Sequence, residues 1–178
     1  MLSQVDIPNQ RPPTNHKTSS THEVFLYNSD MLVAPHFLIG TAIAVYAPEA
    51  GPAALAAITS HFVLDSIPHR DTIGTTHINL GNIVMEIFDI TITALIFWWI
   101  VPAHLRGYAL LVGGAAILPD LLAIPSWFWP QLYRLPVINQ LHSWHVDYLQ
   151  DRNGSLNWFW GLLPQVLIIL AVIWLIKF

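Results

Sequence analysis

The sequence predicts an all-α fold: a polytopic membrane helix bundle of about four to five transmembrane helices, with one amphipathic helix at the interface. Three observations lead there. The 178 residues are 54% hydrophobic and only 10% charged, whereas soluble domains carry about a quarter charged residues. Mean hydropathy is +0.50. The apolar residues are gathered into five runs, most of them near the length that crosses a bilayer.

Taken in order, residues 1–30 come first, with the stretch MLSQVDIPNQRPPTNHKTSSTHE rich in Pro, Ser, Thr and Asn. They read as a disordered polar arm. They contain no apolar core of signal-peptide length, so insertion is expected to be directed by the first hydrophobic span. Residues 31–178 read as a single transmembrane helical domain, with 125–156 as its interfacial segment.

The first span is about Met31–Ala47 and the second about Pro52–Ile67. A full crossing takes roughly 20 residues, so both are short. They could cross by thinning the bilayer or form a re-entrant pair joined by the turn APEAGP. The third span, about Ile83–Val101, ends in IFWWIV. The fourth, about Gly107–Ile124, contains GGAAILPD, and the fifth is about Trp158–Ile176. Between the last two, PSWFWPQLYRLPVINQLHSWHVDYLQDRNGSLN is too polar to cross. Val137, Ile138, Leu141, Trp144 and Tyr148 follow helical spacing there, which predicts an amphipathic helix over Pro136–Gln150. Trp127, Trp129, Trp158 and Trp160 flank it as interfacial anchors.

With five crossings, Arg11, Lys17, Arg70, Arg134 and Arg152 fall on the N-terminal side, and Arg106 and Lys177 on the other. The positive-inside rule then puts the N-terminus in the cytoplasm. The same alternation carries most of the acids and histidines to that face. His36 starts span one, His61 and Asp65 end span two, Glu86 and Asp89 open span three, and Asp120 ends span four. His142 and His145 lie on the interfacial helix. Ionisable groups inside a span are costly unless paired, hydrated or ligated, so their gathering at one depth marks a functional layer.

SHFVLDSIPHRD sets His61 and Asp65 one helical turn apart on one face, within reach of one metal ion. Pro68 disfavours helix at Ile67. His69, Arg70 and Asp71 then read as an exposed loop, with Arg70 able to contact a phosphate. Phe62 stands where a zincin carries its general base, so this is not HExxH. Imidazole with carboxylate suits zinc, manganese or iron. The candidate ligands are His36, His61, Asp65, Asp120 and His142, and Glu86 or Asp89 could serve as general base. Each also has a plain reading: a buried His-Asp clasp for His61 and Asp65, hydrated helix ends for Asp120, Glu86 and Asp89, a helix-start residue for His36, and headgroup contacts for His142 and His145.

At these residues the series PHFLIGTAIA, SHFVLDSIPHRD, GGAAILPDLL and LHSWH resembles the family of small membrane-bound metal-dependent hydrolases that includes the LexA-binding inner-membrane hydrolases. The resemblance spans roughly Ala34 to His145. It implies a short bundle of membrane helices in a bacterial inner membrane and a divalent-metal site, zinc or manganese first. It maps His36 onto the family's first His, His61 and Asp65 onto its His-x-x-x-Asp helix, Asp120 onto its Pro-Asp carboxylate, and His142-Ser143 onto its later His-Ser. The chain departs from the pattern after Asp120, where Leu121-Leu122 replaces a second carboxylate, and before His142, where no Arg-Gly-x-Thr occurs.

The expected function is thus metal-dependent hydrolysis of an interfacial ester or phosphoester, with membrane lipids as partners. A net charge of −4 argues against nucleic acid. With no cysteine there is neither disulfide nor thiolate chemistry. Two other functions compete. A non-catalytic scaffold would bind a soluble protein partner through the loops. An ion or proton transporter would need polar residues across the whole bilayer, and the far halves of the spans are apolar.

Overall fold

A computed structural model describes residues 31–69, 80–121, 130–145, 149 and 156–178. The polar arm at 1–30, along with Arg70, Asp71, Trp127, Trp129, Tyr148 and Arg152, lies outside the described residues. The described chain is helical: α1 (Val33–Tyr46), α2 (Ala50–Asp65), α3 (Leu80–Ile100), α4 (Arg106–Leu121), α5 (Pro136–Ser143) and α6 (Trp158–Lys177), with short 3-10 turns at Ala103–Leu105 and Pro130–Arg134. No strand occurs among the described residues.

Only two of these helices are long and apolar enough to cross a membrane, α3 over Ile83–Ile100 and α6 over Trp158–Lys177. By length and composition alone that is fewer than the four to five crossings expected. At 1.5 Å per residue, the 14 residues of α1 reach roughly 21 Å and the 16 of α2 and α4 roughly 24 Å, short of the ~30 Å hydrocarbon core. The reason lies in the breakers. Ala47-Pro48 stops α1, Ser66 and Pro68 stop α2, and Pro102 precedes α4.

Helix α1 is the hub, packing against α2, α3, α4 and α6. It can be surrounded because it is lined with small residues. Gly40, Thr41, Ala42 and Ala44 are all buried. The α1–α4 contact is the closest: a Cβ built on Gly40 would stand 2.7 Å from Ala116 Cβ and 2.9 Å from both Gly113 Cα and the Val112 carbonyl oxygen. This is the backbone-to-backbone approach that small residues permit between apolar helices. Leu38, Ala53, Ala57, Phe97, Ala109, Val112 and Val172 complete the core.

The two ends of the bundle differ. At one end, the Arg106 guanidinium lies 4.1 Å over the Trp98 ring and donates to the Trp98 carbonyl at 2.9 Å. Lys177 Nζ donates to the Trp99 carbonyl at 3.3 Å. The Tyr46 hydroxyl donates to Leu175 and the Tyr108 hydroxyl to Ala47, tying the helix ends together. At the other end lie the start of α1, the ends of α2 and α4, and the segment after α5.

Candidate metal centre

The side chains of the centre arrive from four separate segments of the chain. His36 comes from the second turn of α1, His61 and Asp65 from the last turns of α2, and Asp120 from the end of α4, one residue after Pro119 interrupts that helix's hydrogen-bond ladder. His145 follows Trp144, the C-cap of α5. Ring packing seats it: His145 and Phe62 centroids are 5.3 Å apart, and Trp144 lies 5.3 Å from the same Phe62 ring. Phe62, the residue that rules out HExxH, is therefore the platform on which the segment after α5 docks.

Four donor atoms crowd together. His61 Nε2 is 3.1 Å from Asp65 Oδ2, 3.2 Å from Asp120 Oδ1 and 3.0 Å from His145 Nε2. His145 Nε2 is 2.9 Å from Asp65 Oδ2 and 3.7 Å from Asp120 Oδ1. One donor atom from each of these four residues lies within 4.8 Å of all the others. His36 stands at the edge, its Nε2 3.2 Å from the other oxygen of Asp65, Oδ1, and off the hydrogen-bonding direction. Its ring is 4.3 Å from that of His61.

The donor set suits a divalent cation. A single imidazole nitrogen carries one proton or one lone pair, yet His61 Nε2 faces three groups at hydrogen-bonding distance. If both Nε2 atoms carry a proton, two N–H groups face each other across 3.0 Å; if one does not, its lone pair faces a carboxylate oxygen about 3 Å away. A cation among them would take up every lone pair and balance the carboxylates. Ligand atoms about 2.0–2.1 Å from zinc in a tetrahedron would be about 3.3 Å apart, close to the spacings found here. His36, His61 and Asp65 are fully buried; the side chains of Asp120 and His145 remain 16% and 10% exposed. Access to the centre is therefore from the side of these two.

Of the predicted ligands, the structure brings together His61, Asp65 and Asp120, with His36 adjoining. His142 is a residue of α5 whose side chain lies outside the described residues. His145, which sequence reasoning set beside it as a headgroup contact, is the histidine of this segment that enters the centre. Both sit in LHSWH, and nothing in that pentapeptide separates them. Asp89 lies elsewhere: its Oδ2 accepts the N–H groups of Val33 at 2.7 Å and Ala34 at 3.4 Å. Glu86, half-buried on α3, stands in the field of Asp89 and Asp120. His69 is fully buried, not part of an exposed loop, and its Nδ1–H donates to the Ile67 carbonyl at 2.7 Å. Sequence reasoning also passed over Gln165, a lone amide buried in α6; a single polar residue in so apolar a run was its signal.

An apolar groove of about 610 Å³ runs between α1 and α2, lined by Ile39, Pro52, Leu55, Thr59 and Val63. At 100° per residue these α2 positions lie on the side opposite His61 and Asp65, so the groove is separate from the centre. No protein-family model, no curated protein and no solved structure matches the chain.

Proposed function

We propose that this chain is an integral membrane protein carrying a divalent-metal centre at its cytoplasmic face, and that the centre hydrolyses an interfacial ester or phosphoester. The observation that carries the reading is the crowding of His61, Asp65, Asp120 and His145 around one point. A buried group of two carboxylates and two imidazoles is expensive without a counter-charge. One divalent ion supplies it.

The membrane setting rests on what the helices turn outward. On α3, Ile87, Phe88, Ile90, Leu95, Trp98 and Trp99 are exposed, and α6 likewise exposes Phe159, Leu167, Leu170 and Trp174. Water is a poor solvent for such a surface and lipid a good one. The Arg106–Trp98 and Lys177–Trp99 pairs then form an interfacial belt at the far end. In this reading α1, α2 and α4 are short crossings packed on one another, with α1 also against α3 and α6, giving five in all.

A bound cation would supply Lewis acidity for a carbonyl or phosphoryl oxygen and an activated water. The chain's own residues supply the rest. His61, Asp65, Asp120 and His145 would hold the ion, His36 would brace Asp65, and Glu86 would take a proton. Four protein donors would close a tetrahedral zinc site, so hydrolysis requires a five- or six-coordinate ion, for which manganese is well suited. The completeness of that donor set favours one second reading, a structural ion that fastens the interfacial segment to the bundle.

The test is metal content by mass spectrometry on detergent-purified protein, beside His61→Ala and Asp65→Ala. Near-stoichiometric metal in the wild type and its loss in both variants is expected. Absence of metal from the wild type, after equilibration with zinc and with manganese, overturns the reading. Turnover of lipid esters or phosphoesters by the loaded protein separates a catalytic ion from a structural one.

A further inference from the structure

The start of α1 poses a problem of its own. An α-helix leaves its first four N–H groups without partners inside the helix, and in an apolar interior each of them must find one. The N-cap residue of α1 is Leu32, which has no side chain able to cap. The four groups at issue belong to Leu32, Val33, Ala34 and Pro35, and Pro35 has no N–H. The other three are met from outside the helix. Gln165 Oε1 on α6 accepts Leu32 N–H at 3.2 Å. Asp89 Oδ2 on α3 accepts Val33 N–H at 2.7 Å and Ala34 N–H at 3.4 Å.

Both acceptors are buried. Asp89 is 4% exposed and Gln165 fully buried. The Gln165 amide donates to the Gly161 carbonyl at 3.0 Å, which fixes which end of the amide faces α1. The acceptors come from α3 and α6, the two helices long enough to span a bilayer. The short hub helix is thus hung by its N-terminus from its two long neighbours.

His36 is the next residue after this capped turn. Its height along the bundle decides whether Nε2 meets Asp65 Oδ1, now 3.2 Å away. We infer that Asp89 and Gln165 are positioning residues for the metal centre: by capping α1 from α3 and α6 they hold His36 against Asp65. The inference rests on the reading of the cluster as a metal site. It gives the two polar residues one task and takes Asp89 out of proton transfer.

The experiment measures zinc affinity by chelator competition on the full chain in detergent, for the wild type, Asp89→Asn, Asp89→Leu, Gln165→Leu and His36→Ala. Asparagine keeps a carbonyl acceptor and caps nearly as well as aspartate, so Asp89→Asn should bind like the wild type. Asp89→Leu and Gln165→Leu should each lose roughly tenfold or more, as supporting groups around a metal do. In the His36→Ala background, Asp89→Leu should cost nothing further. Wild-type affinity in both leucine variants overturns the inference, as does an undiminished loss in the His36→Ala background. Should the leucine variants not stay monodisperse, backbone amide exchange on the wild type decides. Slow exchange at Val33 and Ala34 supports the cap, and rapid exchange there overturns it. A wild type that binds no zinc or manganese defeats the metal reading itself, a different outcome from a wild type that binds while Asp89 is dispensable.

Discussion

Asp65 uses both carboxylate oxygens, Oδ1 facing His36 and Oδ2 facing His61 and His145. It is thus the residue whose loss should reach furthest. Asp65→Asn keeps the shape and removes the charge; its metal affinity should fall by more than the roughly 10–100-fold typical of groups outside the ligand shell. His36→Ala should stay within that range, because His36 touches only one Asp65 oxygen at the edge of the cluster. Isothermal titration with zinc on the two variants checks the order. His145→Ala should lose affinity comparably to His61→Ala, since their Nε2 atoms meet the same two carboxylates. Near-wild-type binding by His145→Ala would remove the interfacial segment from the centre.

Helix α1 is placed by contacts that leave little slack. Gly40 has backbone against it: Gly113 Cα and the Val112 carbonyl oxygen both lie 2.9 Å from where a Cβ would go. Gly40→Ala should therefore push α1 and α4 apart and cost about 1–3 kcal/mol, the range for an overpacked core. At Gly113 the atoms nearest to such a Cβ are those of the Phe37 ring, from 2.9 Å, and a ring can turn, so Gly113→Ala should cost less. A Cβ on Gly114 meets nothing within 4 Å, and Gly114→Ala should be neutral or slightly stabilising, as alanine favours helix. Thermal unfolding in detergent ranks the three. Because α1 carries His36 and α4 carries Asp120, Gly40→Ala should also weaken metal binding, while Gly114→Ala leaves it unchanged.

For the whole molecule, the centre joins helices that are distant in sequence: His36 to Asp65, His61 to Asp120, and His145 to both carboxylates. A cation bound there stabilises the folded bundle by mass action, by about 2.7 kcal/mol at a free concentration 100 times Kd. The melting temperature should rise on adding zinc or manganese and fall on adding a chelator, and Asp65→Asn should show neither shift. The topology can be read directly because the chain has no cysteine. A single cysteine at Glu49 should react with a membrane-impermeant maleimide from the side opposite one at Ser66. Labelling of both from the same side would make α1 and α2 a re-entrant hairpin and leave α3 and α6 among the membrane crossings.

By itself the sequence determined the helical class, the breaks between helices and the end of the bundle to which its acids and histidines belong. These follow from local chemistry: apolar run length, proline and the one-turn spacing of His61 and Asp65. Three members of the cluster, His61, Asp65 and Asp120, were legible because each stands out as a polar residue in an apolar run. Tertiary structure alone decided the rest. LHSWH offers two histidines, and the docking of Trp144 and His145 on Phe62 is what brings His145 to the carboxylates. Asp89 looked like a catalytic carboxylate from its place in the third span, but the start of α1 takes its oxygen. Where a polar atom inside an apolar bundle points depends on which neighbour lacks a hydrogen-bond partner, and that neighbour belongs to another helix 55 or more residues away in sequence.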